Sequence, residues 1–420
     1  MIERIGFPNR RFIARVLSLR VSRLSSSAHM RHAHASSALT RTVASVFVVV
    51  GVVARARVGI DAVDDRSSSN ALKVFANNRS TDTFEVTANE RTKSRTIASE
   101  FTTSRGASST TRATFLTYSD RATDGACLGL ETASSRGIDL KVIGVDGDGG
   151  RFDFSHITNV KTKKLHAWLR VMNDEELRGE YGVKDDGTLV ALADATDVLY
   201  LQSSDEVVRK YLAIVNFVKP DKALIVVSAE RNCWPYMDGS REIQPGGRER
   251  CAKFPDGGGS TYKYLNSGSM IGPAKAIAAM LRDVQAAMKT VNDDDQGCLQ
   301  EAYMRQIEGH GSSEYTIALD HKQSLFQTGW GSRLETSSYA LYEPKGAYYN
   351  TTRGVVVNTE HEVEPAMVHF NGGKPAHLPL ARHFVKFHAR DNKTTTEAHE
   401  RLKSQYPWFE TKCASVLEFR

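Results

Sequence analysis

Short runs of apolar residues, separated by stretches with helical periodicity, begin near residue 112 of this 420-residue chain. Four runs have the length of buried strands and end in turn residues, namely 113–118, 140–144, 188–193 and 223–228. Strands that alternate with helices are typical of units in which a helix crosses between parallel strands. The pattern therefore predicts an α/β domain built on a mainly parallel sheet.

Two amphipathic helices are predicted, one before and one after the fourth strand. Ser203 can cap the first, with Glu206 completing a capping box, and apolar residues recur at Val208, Tyr211, Leu212 and Val215. The second begins at Pro273, and its apolar face carries Ile277, Met280, Leu281, Val284 and Met288. Such stripes normally form core, so we expect no cofactor site on them.

The N-terminal residues have the composition of a targeting segment followed by a stem. Residues 1–58 hold ten Arg, no Lys and one Glu, so the whole-chain charge of +6 divides into +9 for this segment and −3 for the rest. The apolar stretch 43–54 suits a signal-peptide core or short membrane anchor, with an organelle transit peptide as the alternative. Residues 59–110 predict a flexible stem. The remaining chain lacks the basic stripe that nucleic-acid binding requires.

Sequons and cysteines bear on the cellular compartment. Sequons begin at Asn78, Asn350 and Asn392, which favours the secretory pathway, in the lumen of the endoplasmic reticulum or Golgi. The five cysteines form no C-x-x-C pair, so no zinc site is predicted, and their odd number leaves at least one thiol unpaired. Cys233 and Cys251 are the pair best placed for a disulfide, and two reduced thiols are the alternative.

Two carboxylates, Asp194 and Asp197, follow the third predicted strand. Ligands of open α/β sheets bind at the carboxyl ends of strands. Two acids at this spacing can converge on one hard cation, such as Mg²⁺ or Mn²⁺. A turn or a helix cap is the more ordinary use of Asp-x-x-Asp. The sequence contains no Gly-x-Gly-x-x-Gly or Walker-type loop.

Further motifs follow in order, and together they resemble the glycosyltransferase domain of the lysyl hydroxylase family, which attaches sugars to hydroxylysine in collagen. The resemblance covers roughly residues 112–375 and rests on Asp194-x-x-Asp197, Cys-Trp234-Pro, Leu-Asn266-Ser-Gly268, Asp294-Asp295-Gln296, Leu-Asp320-His-Lys-x-x-x-Phe-Gln327 and His369-x-Asn-Gly. It implies a GT-A type, Rossmann-like nucleotide-sugar-binding fold with a mixed sheet flanked by helices. It also implies manganese-dependent transfer of glucose or galactose from a UDP-sugar to a protein-linked acceptor, such as hydroxylysine of collagen-like protein.

The resemblance assigns roles to the matching residues. Asp194, Asp197 and His369 would bind the metal, although a structural hydrogen bond at a strand end is the alternative for His369. Asp294 and Asp295 would be catalytic, a role compatible with capping the helix that begins near Gln296. The UDP-sugar would contact Lys164, Trp234, Asn266, Ser267, Gly268, Asn371, Gly372 and Lys374. Solvated positions are the alternative for the two lysines, and a core position is the alternative for the tryptophan.

We therefore expect four segments: a targeting segment or signal anchor at 1–58, a stem at 59–110, a GT-A glycosyltransferase domain at 111–375 and a tail at 376–420. The chain ends without room for the iron- and 2-oxoglutarate-dependent hydroxylase domain that accompanies this module in the family, so we expect no hydroxylase activity. The loop 241–259 departs from the family pattern near the expected acceptor side.

Two other functions are open at this point. A non-catalytic module of the same fold could bind nucleotide or glycan, but it has no need for a complete set of three metal ligands. A metal-dependent phosphoester hydrolase could use the same carboxylates, but the sequence lacks a second metal cluster with suitable spacing.

Overall fold

A set of short strands, most of them buried, forms the framework of the protein. The computed structural model describes residues 112–145, 150–290, 293–329, 346–350, 352–372, 380–381, 383–387 and 392–417. In chain order its strands are β1 (Ala113–Tyr118), β2 (Leu140–Ile143), β3 (Leu189–Asp194), β4 (Val198–Tyr200), β5 (Ala223–Glu230), β6 (Met237–Asp238), β7 (Arg241–Glu242), β8 (Tyr264–Pro273), β9 (Tyr315–Leu319), β10 (Phe326–Thr328), β11 (Ala347–Asn350), β12 (Val355–Asn358) and β13 (Met367–His369).

The central sheet has six strands in the order β2-β1-β3-β8-β5-β9. β1 pairs in parallel with β2 and β3, and β5 pairs in parallel with β9. β8 runs antiparallel between β3 and β5, so the sheet is mixed. The four strands predicted from apolar runs are confirmed to within two residues at their ends. β8 was missed because the polar run 266–269 interrupts its apolar pattern.

Helices cover both faces of this sheet. They are α1 (Asp124–Ser135), α2 (Val160–Asn173), α3 (Glu175–Glu180), α4 (Ser204–Val218), α5 (Gly247–Ala252), α6 (Ala274–Ala287), α7 (Asp295–Ile307), α8 (Asn392–Gln405) and α9 (Pro407–Leu417). Alternate strand residues point into two separate cores, because side chains alternate across a strand. Leu116 and Ile225 join the core under α2 and α6, whereas Phe115 and Val226 join the core on the other face.

The two predicted helices correspond to α4 and α6. The Ser203 hydroxyl accepts a hydrogen bond from Glu206 N at 3.4 Å, which confirms the predicted cap. The predicted apolar stripe of α6 is confirmed as core at Ile277, Met280, Leu281 and Val284, whereas Met288 lies just after the helix and is only partly buried. The prediction for Leu212 on α4 is wrong, since this side chain is 40% exposed while Tyr211 is buried.

A second sheet of three strands, in the order β10-β13-β4, stands beside the central one. β4 pairs antiparallel with β13, which places His369 opposite Val198. The amide of Phe370 also donates to the carbonyl of Asp197 at 2.8 Å. These bonds bring the end of β13 next to the segment that follows β3.

The C-terminal helices α8 and α9 pack on α1. Cys413 in α9 forms a disulfide with Cys127 in α1, which was not predicted because 286 residues separate them. The Tyr406 hydroxyl donates to the Leu140 carbonyl at 2.8 Å and accepts from Val142 N at 3.0 Å. It therefore occupies the outer hydrogen-bonding edge of β2, the terminal strand of the central sheet.

The other disulfide joins Cys233 to Cys251, as the sequence analysis favoured, and Cys298 is free and buried. Within the described ranges, no helix is both long and apolar enough to cross a membrane. The predicted targeting segment and stem lie outside the described residues.

Candidate functional site

Two carboxylates and one imidazole meet where the two sheets adjoin. Asp194 is the last residue of β3, Asp197 immediately precedes β4, and His369 ends β13. The His369 Nε2 atom lies 3.6 Å from an Asp194 oxygen and 3.5 Å from an Asp197 oxygen. One ligand atom from each residue falls within 4.8 Å of the others, so the three side chains could hold one metal ion. We call them the metal cluster.

Hydrogen bonds orient the imidazole toward the two acids. The Oδ1 atom of Asn266 lies 3.0 Å from His369 Nδ1, while the Asn266 Nδ2 atom donates to Glu230 and Gln296. With its donor group already engaged, Asn266 must accept from His369, so Nδ1 carries the proton. The lone pair of Nε2 then faces the carboxylates, which is the tautomer that a metal ligand requires.

The electrostatics of the metal cluster also favour a cation. Burial raises the pKa of Asp194, and Lys164 and His369 oppose that rise only in part. Burial by itself would lower the pKa of His369, but Asp197 and Asp194 outweigh it and raise the pKa above its usual value. Two carboxylate oxygens and one imidazole nitrogen suit a divalent ion at the hard end of the transition series.

Gly268 leaves the space that the imidazole occupies. A β-carbon built at this position would lie 2.0 Å from His369 Cε1 and 2.5 Å from Nδ1, far inside van der Waals contact. Gly268 lies within β8, which pairs with β3, the strand that ends at Asp194. Gly268 therefore makes room for the imidazole ring of His369.

Lys164 lies between the metal cluster and a further acidic residue, Asp295. Its Nζ atom is 2.6 Å from Asp194 Oδ1 and 2.8 Å from Asp295 Oδ2, and the side chain is only 6% exposed. The alternative of a solvated surface lysine is therefore wrong. Burial would lower the pKa of Lys164, but the two carboxylates raise it above its usual value, so the ammonium stays charged.

The three consecutive aspartates before and at the start of α7 have different environments. Asp293 binds the backbone amides of the preceding turn, and Asp294 caps α7 by accepting from Gly297 N at 2.9 Å. Asp295 points inward, where it accepts from the Ser267 hydroxyl at 2.8 Å. Burial would raise the pKa of Asp295, but Lys164 and Ser267 hold it below its usual value.

A buried carboxylate that the sequence analysis missed, Glu230, completes the site. It ends β5 and accepts hydrogen bonds from the side-chain amides of Asn266, Gln296 and Asn371 at 3.2, 2.6 and 2.6 Å. Burial raises its pKa to about 7, against the opposing effect of these amides. The available signal was its place at the end of a strand, three residues before the Cys-Trp-Pro motif.

Trp234 follows Glu230 in a loop, where its peptide bond to Pro235 is cis. Its carbonyl accepts from the side chains of Gln296 and Gln300, both at 2.8 Å. The indole is half-buried at the cavity wall, and the Lys161 ammonium lies 5.9 Å from its ring centroid. A fully buried core position, the alternative for this residue, is therefore wrong.

One cavity of about 510 Å³ connects these groups. Its wall includes ten of the predicted site residues, namely Lys164, Asp194, Asp197, Trp234, Asn266, Ser267, Asp295, His369, Asn371 and Gly372. Asp294 and Gly268 are not among the residues that line the cavity, and Lys374 lies outside the described residues. Asp320, from another motif, accepts three backbone amides of residues 324–326 and serves the turn instead.

Comparisons with known proteins bear on the family. The chain matches a procollagen-lysine, 2-oxoglutarate 5-dioxygenase of Drosophila melanogaster with 25% identity over 187 residues, which is 44% of this chain and 21% of that protein. It matches the uncharacterized protein R699 of Acanthamoeba polyphaga mimivirus with 32% identity over 142 residues, 34% of this chain and 25% of that protein. The chain thus matches about a fifth to a quarter of the length of these relatives.

A glycosyltransferase involved in glycosylation of the major capsid of PBCV-1 is a structural neighbour, with a TM-score of 0.33, 12% identity, and coverage of 65% of this chain and 98% of that one. The family model described as the PLOD GT domain matches residues 109–394, well over half of the chain. The chain therefore belongs to the family of PLOD glycosyltransferase domains.

Proposed function

We propose that this protein transfers glucose or galactose from a UDP-sugar to a hydroxyl on a protein-linked acceptor, with Mn²⁺ as cofactor. The observation that carries the proposal is the convergence of Asp194, Asp197 and His369 within 4.8 Å beside the Lys164–Asp295 pair. Because a relative's name refers to procollagen lysine, we propose hydroxylysine of a collagen-like protein as the acceptor.

The chemistry of the metal cluster supports a divalent ion. When bound, Mn²⁺ would supply positive charge for the diphosphate of the donor and for the leaving UDP. Asp194 and Asp197 would hold it through oxygen and His369 through Nε2. In the neutral imidazole, the hydrogen bond from Nδ1 to Asn266 leaves the lone pair of Nε2 available for the metal.

Asp295 is the residue to which we assign the chemistry at the sugar. It is 1% exposed, and its Oδ1 atom is buried without a hydrogen-bond partner among the described residues. Lys164 keeps the carboxylate ionised, so it can stabilise positive charge on the sugar or accept the proton of the acceptor hydroxyl. Asp294, 28% exposed and 3.7 Å from Lys161, would position the acceptor at the cavity rim.

The remaining residues would bind the donor. Trp234 offers an indole face that can stack on a sugar, and its Nε1 atom has no hydrogen-bond partner among the described residues. Asn266 and Ser267 form one wall, and Gly268 makes room for the metal ligand. Asn371, Gly372 and Lys374 would contact the diphosphate.

We propose the lumen of the endoplasmic reticulum or Golgi as the site of action. Two disulfides, Cys127–Cys413 and Cys233–Cys251, support an oxidising compartment. Residues 1–58 would direct the chain there as a cleaved signal or a short anchor, with 59–110 as a stem. The glycosyltransferase domain would occupy 111–375, and 376–420 would be a C-terminal tail.

The test is UDP release by the purified chain from UDP-glucose and UDP-galactose, with Mn²⁺ or EDTA. Wild type should release UDP from one of them only with Mn²⁺, and Asp197→Ala should reduce turnover by about a hundred-fold or more because a metal ligand is lost. Asp186→Ala, which changes an exposed aspartate paired with Arg178, is the control. UDP binding without turnover would favour the non-catalytic binding module, and no UDP binding would refute the proposal.

A further inference from the structure

Helix α1 lies directly behind residues 195–200, the segment that carries Asp197 and leads into β4. A β-carbon on Gly125, in the first turn of α1, would lie 1.8 Å from the carbonyl oxygen of Thr196. That obstacle is backbone, so it cannot move aside as a flexible side chain would. The helix and the segment between the two metal-binding aspartates are therefore in contact through a position that admits only hydrogen.

The same face of α1 follows the segment for two further turns. A β-carbon on Gly129 would lie 3.3 Å from the Val198 carbonyl oxygen, which is tight but tolerable. The Thr132 hydroxyl accepts from Tyr200 N at 3.2 Å and donates to Leu128 O at 2.9 Å. Residues at this helical spacing share one face, so α1 supports the segment along its whole length.

The opposite side of α1 is attached to the C-terminal helices. Cys127 forms the disulfide with Cys413, and the Ser134 hydroxyl bonds to Ala398 O at 3.3 Å and to the Arg401 guanidinium at 2.9 Å. The partner residues Ala398, Arg401 and Cys413 all lie beyond residue 394, where the family match ends. The helix is thus held between the metal-binding segment and a C-terminal element.

We propose that α1 fixes the geometry of the metal cluster, that Gly125 is the positioning residue, and that the Cys127–Cys413 disulfide keeps the helix in place. This inference rests on the proposed metal dependence. Gly125 touches neither metal nor substrate and acts by holding the backbone of Thr196, one residue before Asp197. Moving α1 outward would separate Asp197 from Asp194 and His369.

The experiment compares Gly125→Ala with Gly129→Ala, the same substitution one turn later in the same helix. Calorimetric titration of the full chain with Mn²⁺ should give at least about a ten-fold loss of affinity for Gly125→Ala, the scale known for residues that support metal ligands. Gly129→Ala should stay within about three-fold, since a gap of 3.3 Å needs only a small adjustment. Raised Mn²⁺ should restore the UDP-release rate of Gly125→Ala, because the chemical groups are intact.

A second variant covers the case in which Gly125→Ala does not fold. Thr132→Val removes the acceptor for Tyr200 N, and hydrogen exchange of residues 195–200 should become faster in metal-free protein. Thr114→Val, which removes a similar bond to Gly182 O, is the control and should leave this exchange unchanged. Cys413→Ser should accelerate the same exchange and weaken Mn²⁺ binding.

The outcomes separate the two proposals. A wild-type chain that binds no Mn²⁺ overturns the proposed metal dependence and this inference with it. A wild type that binds Mn²⁺, beside a folded Gly125→Ala of equal affinity or a Thr132→Val of unchanged exchange, overturns the role of α1 alone. Unchanged Mn²⁺ binding in Cys413→Ser overturns the role of the disulfide.

Discussion

Replacing Lys164 by methionine tests the charge arrangement between the metal cluster and Asp295. The substitution keeps the volume of the side chain but removes an ammonium that lies 2.6 Å from Asp194 and 2.8 Å from Asp295. Breaking a buried ion pair by removing one partner costs about 3–5 kcal/mol. Because the Asp194 side chain is 25% exposed and partly solvated, we take the lower limit of about 3 kcal/mol. In a domain of this size the melting temperature should then fall by roughly 6–12 °C.

The adjacent lysine supplies the control. Lys163 pairs with the half-exposed Asp120 at 3.3 Å, so Lys163→Met should cost only about 0–1 kcal/mol. Thermal unfolding followed by circular dichroism in EDTA compares the two variants. Added Mn²⁺ should recover much of the loss in Lys164→Met, because the cation takes the place of the ammonium beside Asp194. If both methionine variants melt at the same temperature in EDTA, Lys164 does not neutralise the buried carboxylates and the reasoning is refuted.

Three further predictions concern single residues of the site. Gly268→Ala should weaken Mn²⁺ binding by about 10–100-fold in calorimetric titration, because the new methyl group displaces the imidazole, whereas Gly179→Ala, with open space around it, should not. Asp295→Asn should lower kcat by about a hundred-fold with little change in UDP affinity, while Asp293→Asn, whose side chain serves only a turn, should keep kcat within about three-fold; equal kcat values for the two would remove Asp295 from the chemistry. Burial raises the pKa of Glu230 to about 7, so the folded state binds the proton of this carboxyl more tightly than the unfolded state does. The free energy of unfolding should therefore fall as the pH rises from 4.5 to 7. The contribution is about 3 kcal/mol, and urea unfolding at pH 5 and 7.5 should show a smaller decrease for Glu230→Gln than for wild type.

Local patterns of apolar residues in the sequence were enough to predict most of the fold. The strands β1, β3 and β5 were predicted because buried strands read as continuous apolar runs, and Asp194 and Asp197 were found because they directly follow one of them. β8 escaped because its centre, Asn266 to Ser269, is polar. Those polar groups are satisfied inside the site by partners that no local pattern shows.

Contacts between residues far apart in the sequence account for the features that were not predicted. The roles of Glu230 and Lys164 depend on partners at least 30 residues away in the sequence, so neither composition nor spacing indicates that these charges are buried together. The Cys127–Cys413 disulfide likewise joins α1 to α9 across a sequence separation of 286 residues. For Lys164 the family resemblance predicted a place in the UDP-sugar site, but only the structure shows that it bridges two carboxylates.

The position of Tyr406 has a consequence for solubility. A terminal strand with unpaired amides and carbonyls is a template on which another chain can add a strand. Here the hydroxyl of Tyr406 is hydrogen-bonded to the carbonyl of Leu140 and the amide of Val142. The C-terminal helices therefore cover the edge of β2 on which another strand could add. A chain shortened to the limits of the family match, at residue 394, would lose this shield. Such a fragment would retain every residue that lines the cavity of about 510 Å³ and yet self-associate through β2.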